Sequence, residues 1–199
     1  MACDPTILAF DTSAAHCVAA VLLRGQIVTT LYEPMAKGQA ENLMDVIDQV
    51  LGKANITLND LDAIAVGTGP GNFTGIRISV SAARGLALAL GIPAIGVTNF
   101  EATWFGHTGS VIATVPAPRD QIYMAHSDRG AASGVLTTPE AISQSHGVHL
   151  TCPMDETLAQ QIAKVAAARF AAPVQKPVPY YIKPADAAPS RDIPPKRLS

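Results

Sequence analysis

The residues of this chain whose types and spacing lend themselves to chemistry begin with a glycine-rich loop, Gly67-Thr68-Gly69-Pro70-Gly71-Asn72-Phe73-Thr74-Gly75, which feeds an apolar helix. Uncommitted amides at a helix N-terminus attract anions, so phosphate binding is the first question. A P-loop needs Lys and then Ser or Thr directly after its last glycine, but Ile76 and Arg77 follow Gly75. A dinucleotide fingerprint starting at Gly69 needs glycine at position 74, which is Thr74. The loop therefore reads first as a tight strand-to-helix turn, with glycines at positive φ and Asn72 or Thr74 as the cap. An anion at its amides is the secondary reading.

Two further clusters are weaker. Asp11-Thr12-Ser13 ends an apolar run and is a candidate phosphate- and metal-binding turn, although an Asp at a strand end is also an ordinary turn residue. His146-x-x-His149 brings two imidazoles near each other in a loop-like segment without a third ligand close by, so no metal site is assigned. The chain contains no GxSxG elbow, no HExxH and no pair of carboxylates in a recognisable cleft.

Those residues must be positioned by regular elements. Residues 6–10 read as a buried strand, and residues 17–23 and 26–32 as two more, joined by an Arg24-Gly25 hairpin. Residues 39–54 change to helical period, with Leu43, Ile47, Val50, Leu51 and Ala54 on one face. A short strand at 63–66 delivers the glycine loop, a helix at 74–90 follows, then a strand at 93–97 and a helix at 99–105. Antiparallel strands followed by alternating helices and strands give the ribonuclease H-like α/β lobe found in actin, hexokinase and Hsp70. Farther along, 111–115 and 121–125 read as strands and 155–170 as a helix. From Pro173 the chain has seven prolines in 27 residues and a local charge of +3, and reads as an extended tail. The expected organisation is an N-terminal lobe at 1–105, a second lobe at 106–172 and a tail at 173–199.

Composition bounds the function. Only 15% of the 199 residues are charged, against an average of ~25%. The net charge of −2 provides no basic field, which disfavours a stand-alone RNA binder. Cys3, Cys17 and Cys152 are widely spaced and odd in number, which fits a reducing cytosol better than a disulfide framework. The N-terminus has no signal-peptide pattern and the apolar runs are interrupted, so a cytoplasmic protein without membrane attachment is expected. In the 74–90 helix, Ile76, Val80, Ala83, Ala87 and Leu90 form one face, and Ile78, Ala82 and Leu86 widen it. So broad an apolar surface implies burial on a second side, by the rest of the chain or by a partner.

The segments ILAFDTS, AVGTGPGNFTGIRISVSAARGLA and IPAIGVTNFEA resemble the bacterial TsaB (YeaZ) family, as does PYYIKPADAAP at 179–189. The chain departs from the family pattern in three places. Gln39 stands where many members carry His, Pro116-Ala117-Pro118-Arg119 replaces a more usual Asp-Ala-Arg, and the second lobe is shortened. The resemblance implies a role in making threonylcarbamoyladenosine in tRNA beside the anticodon. It makes the chain a non-catalytic partner of the paralogous transferase TsaD, assisted by the ATPase TsaE, with tRNA reached through the complex. TsaD holds its metal through HxxxH, and the corresponding positions here are Asn99 and Thr103, so no metal site is expected.

Family members pair through two helices of the N-terminal lobe, with TsaD or with a second copy of themselves. That implies contacts near Leu43, Met44, Ile47, Ile76, Val80 and Ala83, and a homodimer when the partner is absent. No intrinsic cofactor is expected, and a nucleotide near the partner interface is left open. The alternative is an ATPase or phosphotransferase using Asp11, Thr12 and Ser13; a peptidase ranks last.

Overall fold

The computed structural model describes residues 4–173 and 175–182. β1 (Ile7–Asp11) and β2 (His16–Leu23) are covered on both faces, which is why ILAFD and HCVAAVLL are almost continuously apolar. Arg24 and Gly25, at φ 52° and 76°, turn β2 into β3 (Gln26–Pro34), the partly exposed outer strand. β1 also pairs in parallel with β4 (Ala63–Gly67), which pairs in parallel with β5 (Ala94–Val97). The strand order is β3-β2-β1-β4-β5, and the succession of elements is the one the sequence pattern predicts.

Side chains alternate across this sheet. Leu8 and Phe10 of β1 point to the face covered by α1 (Gln39–Ala54) and α2 (Phe73–Leu90). Leu43, Val46, Ile47, Val50, Ile76, Val80 and Ala83 pack there as one apolar cluster. This corrects the expected contact set: Leu43, Ile47, Ile76, Val80 and Ala83 are the sheet-facing side of the two helices, and only Met44, 42% exposed, is at the surface. Periodicity finds the apolar stripe of a helix, and here the helix's own sheet claims that stripe.

Ile7 and Ala9 point to the opposite face, towards α3 (Asn99–Trp104) and α4 (Glu156–Arg169). Leu158, Ile162, Ala163 and Ala166 of α4 meet them there, together with Phe100 of α3. Thr98 and Glu101 cap α3 reciprocally, and Glu101 also receives Arg169 at 2.6 Å from the end of α4.

A second sheet, in the order β8-β7-β6-β9, comprises β6 (Val111–Pro116), β7 (Ile122–His126), β8 (Val135–Thr137) and β9 (Val148–Thr151). The last two are only three and four residues long, too short for alternation to reveal. Ala113, Val115 and Ala125 of this sheet share the core of α4 and the first sheet, so the apolar interior runs across position 105 without a break.

The tail expectation also needs correction. Residues 175–182 have no regular secondary structure, yet they pack as a strap. Pro177 lies against Gly96, and the Tyr180 amide donates to the Thr68 carbonyl at 2.8 Å. The Tyr180 hydroxyl donates to the Ala131 carbonyl at 2.8 Å, and its ring meets Phe100 edge-on. Two adjacent tyrosines give a proline-rich segment enough apolar surface to dock. Lys183, Arg191, Lys196 and Arg197, and the 183–189 part of the family-like motif, lie outside the described residues.

Candidate functional site

β1 and β4 are parallel neighbours, so the turns that leave their C-terminal ends lie side by side. After β1, Asp11 Oδ1 accepts from the Ser13 amide at 2.7 Å and the Ser13 hydroxyl at 2.8 Å, and lies 3.0 Å from His16 Nε2. The Thr12 hydroxyl donates to the Gly75 carbonyl at 2.7 Å. Asn99 Nδ2 donates to Ser13 Oγ at 3.0 Å and to the Pro70 carbonyl at 2.9 Å. Asp11, Thr12, Ser13 and His16 are all buried.

The glycines of the second turn make room for the first. A Cβ on Gly67 would overlap the Asp11 carboxylate, and one on Gly71 would overlap the Ser13 carbonyl. One on Gly75 would overlap the Thr12 carbonyl. Among these loop glycines only Gly69, at φ 97°, needs the left-handed region, so close approach rather than positive φ accounts for most of the cluster. Asn72 is the cap of α2, its side chain accepting from the Gly75 amide at 2.8 Å. Thr74 takes no part in the cap.

This packing gives Asp11, Thr12 and Ser13 a task within the fold, joining the turns after β1 and β4. The Thr12 and Ser13 hydroxyls and Asp11 Oδ1 are bonded within the protein, while Asp11 Oδ2, against which Gly67 stands directly, has no hydrogen-bond partner among the described residues. The structure does assemble Asp11, Ser13 and His16, a grouping the sequence reading missed. The signal was present: a histidine opening an otherwise apolar strand five residues after a buried aspartate. Hydrolytic chemistry needs His bonded to the serine hydroxyl, whereas here Ser13 and His16 both bond to the same carboxylate oxygen. The trio is a buried polar knot, braced by Tyr32 edge-on to His16. Cys17 lies beside it, its thiol pushed up to about 11 by burial first and then by the charges of Asp11 and Glu33.

The other candidates separate. His149 Nε2 lies 3.0 Å from the Thr114 hydroxyl, while His146 is exposed in the preceding loop. Among the described residues no three of His, Cys, Asp and Glu converge as a metal site. Asn99 holds the two turns together, and Thr103 donates to the Asn99 carbonyl at 2.6 Å.

The outer side of the α1/α2 layer has a different character. α2 averages a hydropathy of 1.2 over its 18 residues, enough by length and composition alone to span a membrane, which the interrupted runs did not suggest. Ile76, Val80, Ala83 and Ala87 account for its inner face. Ser81, Gly85 and Leu88 share the outward strip, and Leu88 is 85% exposed. Arg77 borders that strip, stacked 3.9 Å over the Phe73 ring and donating to the Tyr181 hydroxyl at 3.1 Å. The strap therefore reaches the start of α2.

A mixed five-stranded sheet of this order, with helices on both faces, is a ribonuclease H-like fold. The fold matches the solved structure of YeaZ from Pseudomonas aeruginosa, with a TM-score of 0.68 and 26% identity over 89% of this chain and 99% of that one. The family model described as TsaD: tRNA N6-adenosine threonylcarbamoyltransferase matches residues 33–178. The chain is 34% identical to the tRNA threonylcarbamoyladenosine biosynthesis protein TsaB of Haemophilus influenzae, over 59% of this chain and 52% of that protein. It is 30% identical to an uncharacterized protein of Mycobacterium tuberculosis, over 92% of this chain and 94% of that protein. The chain belongs to the TsaB/YeaZ family. Its match spans about half the length of the TsaB proteins of Haemophilus influenzae and Buchnera aphidicola, 52% and 45%.

Proposed function

We propose that this chain is a non-catalytic partner that stabilises and activates a TsaD-like transferase in threonylcarbamoyladenosine modification of tRNA. The observation that carries the reading is the outward strip of α2, where Leu88 is 85% exposed beside Ser81 and Gly85 on a helix whose other apolar face is already occupied. A large exposed side chain next to small ones suits a close-packed helical partner. The positions that align with the TsaD histidines support the same reading: Asn99 and Thr103 have their side chains engaged in internal hydrogen bonds. On this reading the chain works in the cytoplasm and meets tRNA and a TsaE-like ATPase through the complex. It pairs with a second copy of itself through the same strip when TsaD is absent. It needs no cofactor of its own.

Co-elution with the TsaD-like protein of the same organism, read alongside tRNA modification, tests this. Ser81→Arg and Leu88→Glu are expected to weaken the complex by about tenfold or more, as loss of a central interface contact does. Val28→Glu, on exposed β3, is expected to leave it intact. No complex, or equal binding by all variants, overturns the reading.

A further inference from the structure

The outer sides of α1 and α2 carry charges that neither the core nor the polar knot uses. On α1, Glu41, Asp45 and Asp48 follow one another at steps of four and three, so they share one face, and all three are exposed. They point away from the sheet, which takes Leu43, Val46, Ile47 and Val50 of the same helix. On α2, Arg77, Ser81, Arg84 and Leu88 recur at steps of four, three and four, all exposed, and the helix contains no acidic residue. Both helices cover one face of the sheet, so an acidic stripe and a basic stripe lie on the same side of the molecule. The ion pairs among the described residues are His16–Asp11 and Arg169–Glu101, and none of the five stripe charges belongs to either.

Arg77 is held in place as well as exposed. Its guanidinium lies 3.9 Å over the Phe73 ring, and its Nε donates to the Tyr181 hydroxyl at 3.1 Å. The Tyr181 ring packs on Phe73 from the strap, with centroids 4.7 Å apart. The preceding residue, Tyr180, anchors the strap through Thr68 and Ala131. A free surface arginine loses rotamer freedom when it binds, and one already held loses less. Its terminal nitrogens make no ion pair among the described residues, and such a fork matches a carboxylate. We propose that the partner surface is electrically two-sided. It fits a helical face of the TsaD-like partner that sets carboxylates opposite Arg77 and Arg84 and basic side chains opposite Glu41, Asp45 and Asp48. Tyr181 is a positioning residue, acting on the partner through Arg77. Turned by half a rotation, the same partner would meet acid with acid and base with base, so the pattern admits one orientation. The inference rests on the partner reading above and supplies its chemistry.

Calorimetry of the full chain with the TsaD-like protein of the same organism, at low and at high salt, tests it. Arg77→Glu, which sets acid against acid, is expected to weaken the complex by about tenfold or more, and Asp45→Lys by about fivefold. Lys164→Glu, exposed on α4 on the opposite face of the sheet, is expected to leave the affinity unchanged. The wild-type complex is expected to weaken as salt rises, and that of Arg77→Ala to weaken less steeply. Tyr181→Phe keeps the ring on Phe73 and removes only the hydroxyl. It is expected to cost about threefold in the wild-type chain and nothing in Arg77→Ala, a dependence that a merely structural role would not produce. Absence of a complex with the wild-type chain overturns this inference and the partner reading together. A wild-type complex whose affinity either Arg77→Glu or Asp45→Lys leaves unchanged overturns this inference alone. A Tyr181→Phe loss that persists in Arg77→Ala, or no loss in either chain, overturns the positioning role.

Discussion

The turns that leave β1 and β4 start from equivalent places at the ends of parallel strands and are built from opposite materials. The first closes around Asp11, which is encircled by Ser13, His16 and the bare backbone of Gly67, while Ser13, Ala14 and Ala15 beyond it line a cavity between the sheets. The second is rich in glycine, its polar groups are largely backbone, and its far end lines the same cavity. The contrast shows what a glycine-rich loop can be for. Its lack of side chains serves the neighbouring turn, which needs the space, as much as any ligand. A loop that resembles a phosphate cradle in sequence is here chiefly a mould for a buried carboxylate.

The largest effect should come from filling that mould. Gly75 sits within the first turn of α2, where propensity alone would make alanine better by about 1 kcal/mol. Its Cβ would overlap the Thr12 carbonyl, which is backbone and cannot move aside cheaply. Gly75→Ala is therefore expected to lose about 3 kcal/mol or more in urea denaturation, reversing the sign that propensity gives. Wild-type stability in this variant would show that the two turns are not in contact. Next in size is the carboxylate itself. Asp11→Ala strands the Ser13 amide and His16 without their acceptor, at an expected cost of about 2–3 kcal/mol. Asp11→Asn keeps an acceptor oxygen and should lose visibly less. Equal losses for the two would mean that the knot is held by packing and not by its hydrogen bonds.

Much of the architecture can be read from the chain because its signals are local. The apolar run ILAFD, the hairpin at Arg24-Gly25 and the 3.6-residue period of 39–54 each report an element directly. Their succession points to the ribonuclease H-like lobe. What escaped the sequence depends on which faces meet. Leu43, Ile47, Ile76, Val80 and Ala83 stand out by periodicity, but periodicity has no sign and does not say whether sheet or partner takes the stripe. The outward strip was visible only as the remainder, Ser81 and Leu88 among the arginines. Asp11 and Ser13 were recognisable as a turn, but His16 joins them only through the β1–β2 pairing, which brings an isolated polar residue back onto the carboxylate. The strap was hidden by composition, since prolines suggest an unpacked tail and the contacts of Tyr180 with Thr68 and Ala131 are far away in sequence.

A smaller effect probes the charge inside the closed turn. Burial and the nearby Asp11 and Glu33 charges hold the Cys17 thiol at about 11, above its ordinary 9.0. The folded chain therefore keeps this proton over a range in which the unfolded chain has released it. Its contribution to stability is intact below pH 9 and is lost as the pH rises from 9 to 11. Denaturation midpoints of the wild type should decline through that window more steeply than those of Cys17→Ala. In Asp11→Asn the Cys17 thiol should titrate lower than in the wild type. An unchanged titration in that variant would place the two groups too far apart to interact.

The smallest expected change sharpens the comparison within a single helix. Gly85 lies ten residues beyond Gly75 in α2 and faces outward, and a Cβ there would meet nothing within 4 Å. Its backbone is helical, so alanine removes unfolded-chain entropy without any clash. Gly85→Ala is expected to stabilise the isolated chain by about 0.5–1 kcal/mol in the same denaturation assay in which Gly75→Ala fails. The two substitutions are chemically identical, and only the neighbour differs: a carbonyl of the β1 turn in one case, open space in the other. A loss of stability at Gly85 would mean that the outward strip is covered in the isolated chain, as it would be in a homodimer. Repeating the measurement across a hundredfold range of protein concentration separates these cases, because stability that depends on self-association falls on dilution and intrinsic helix stability does not.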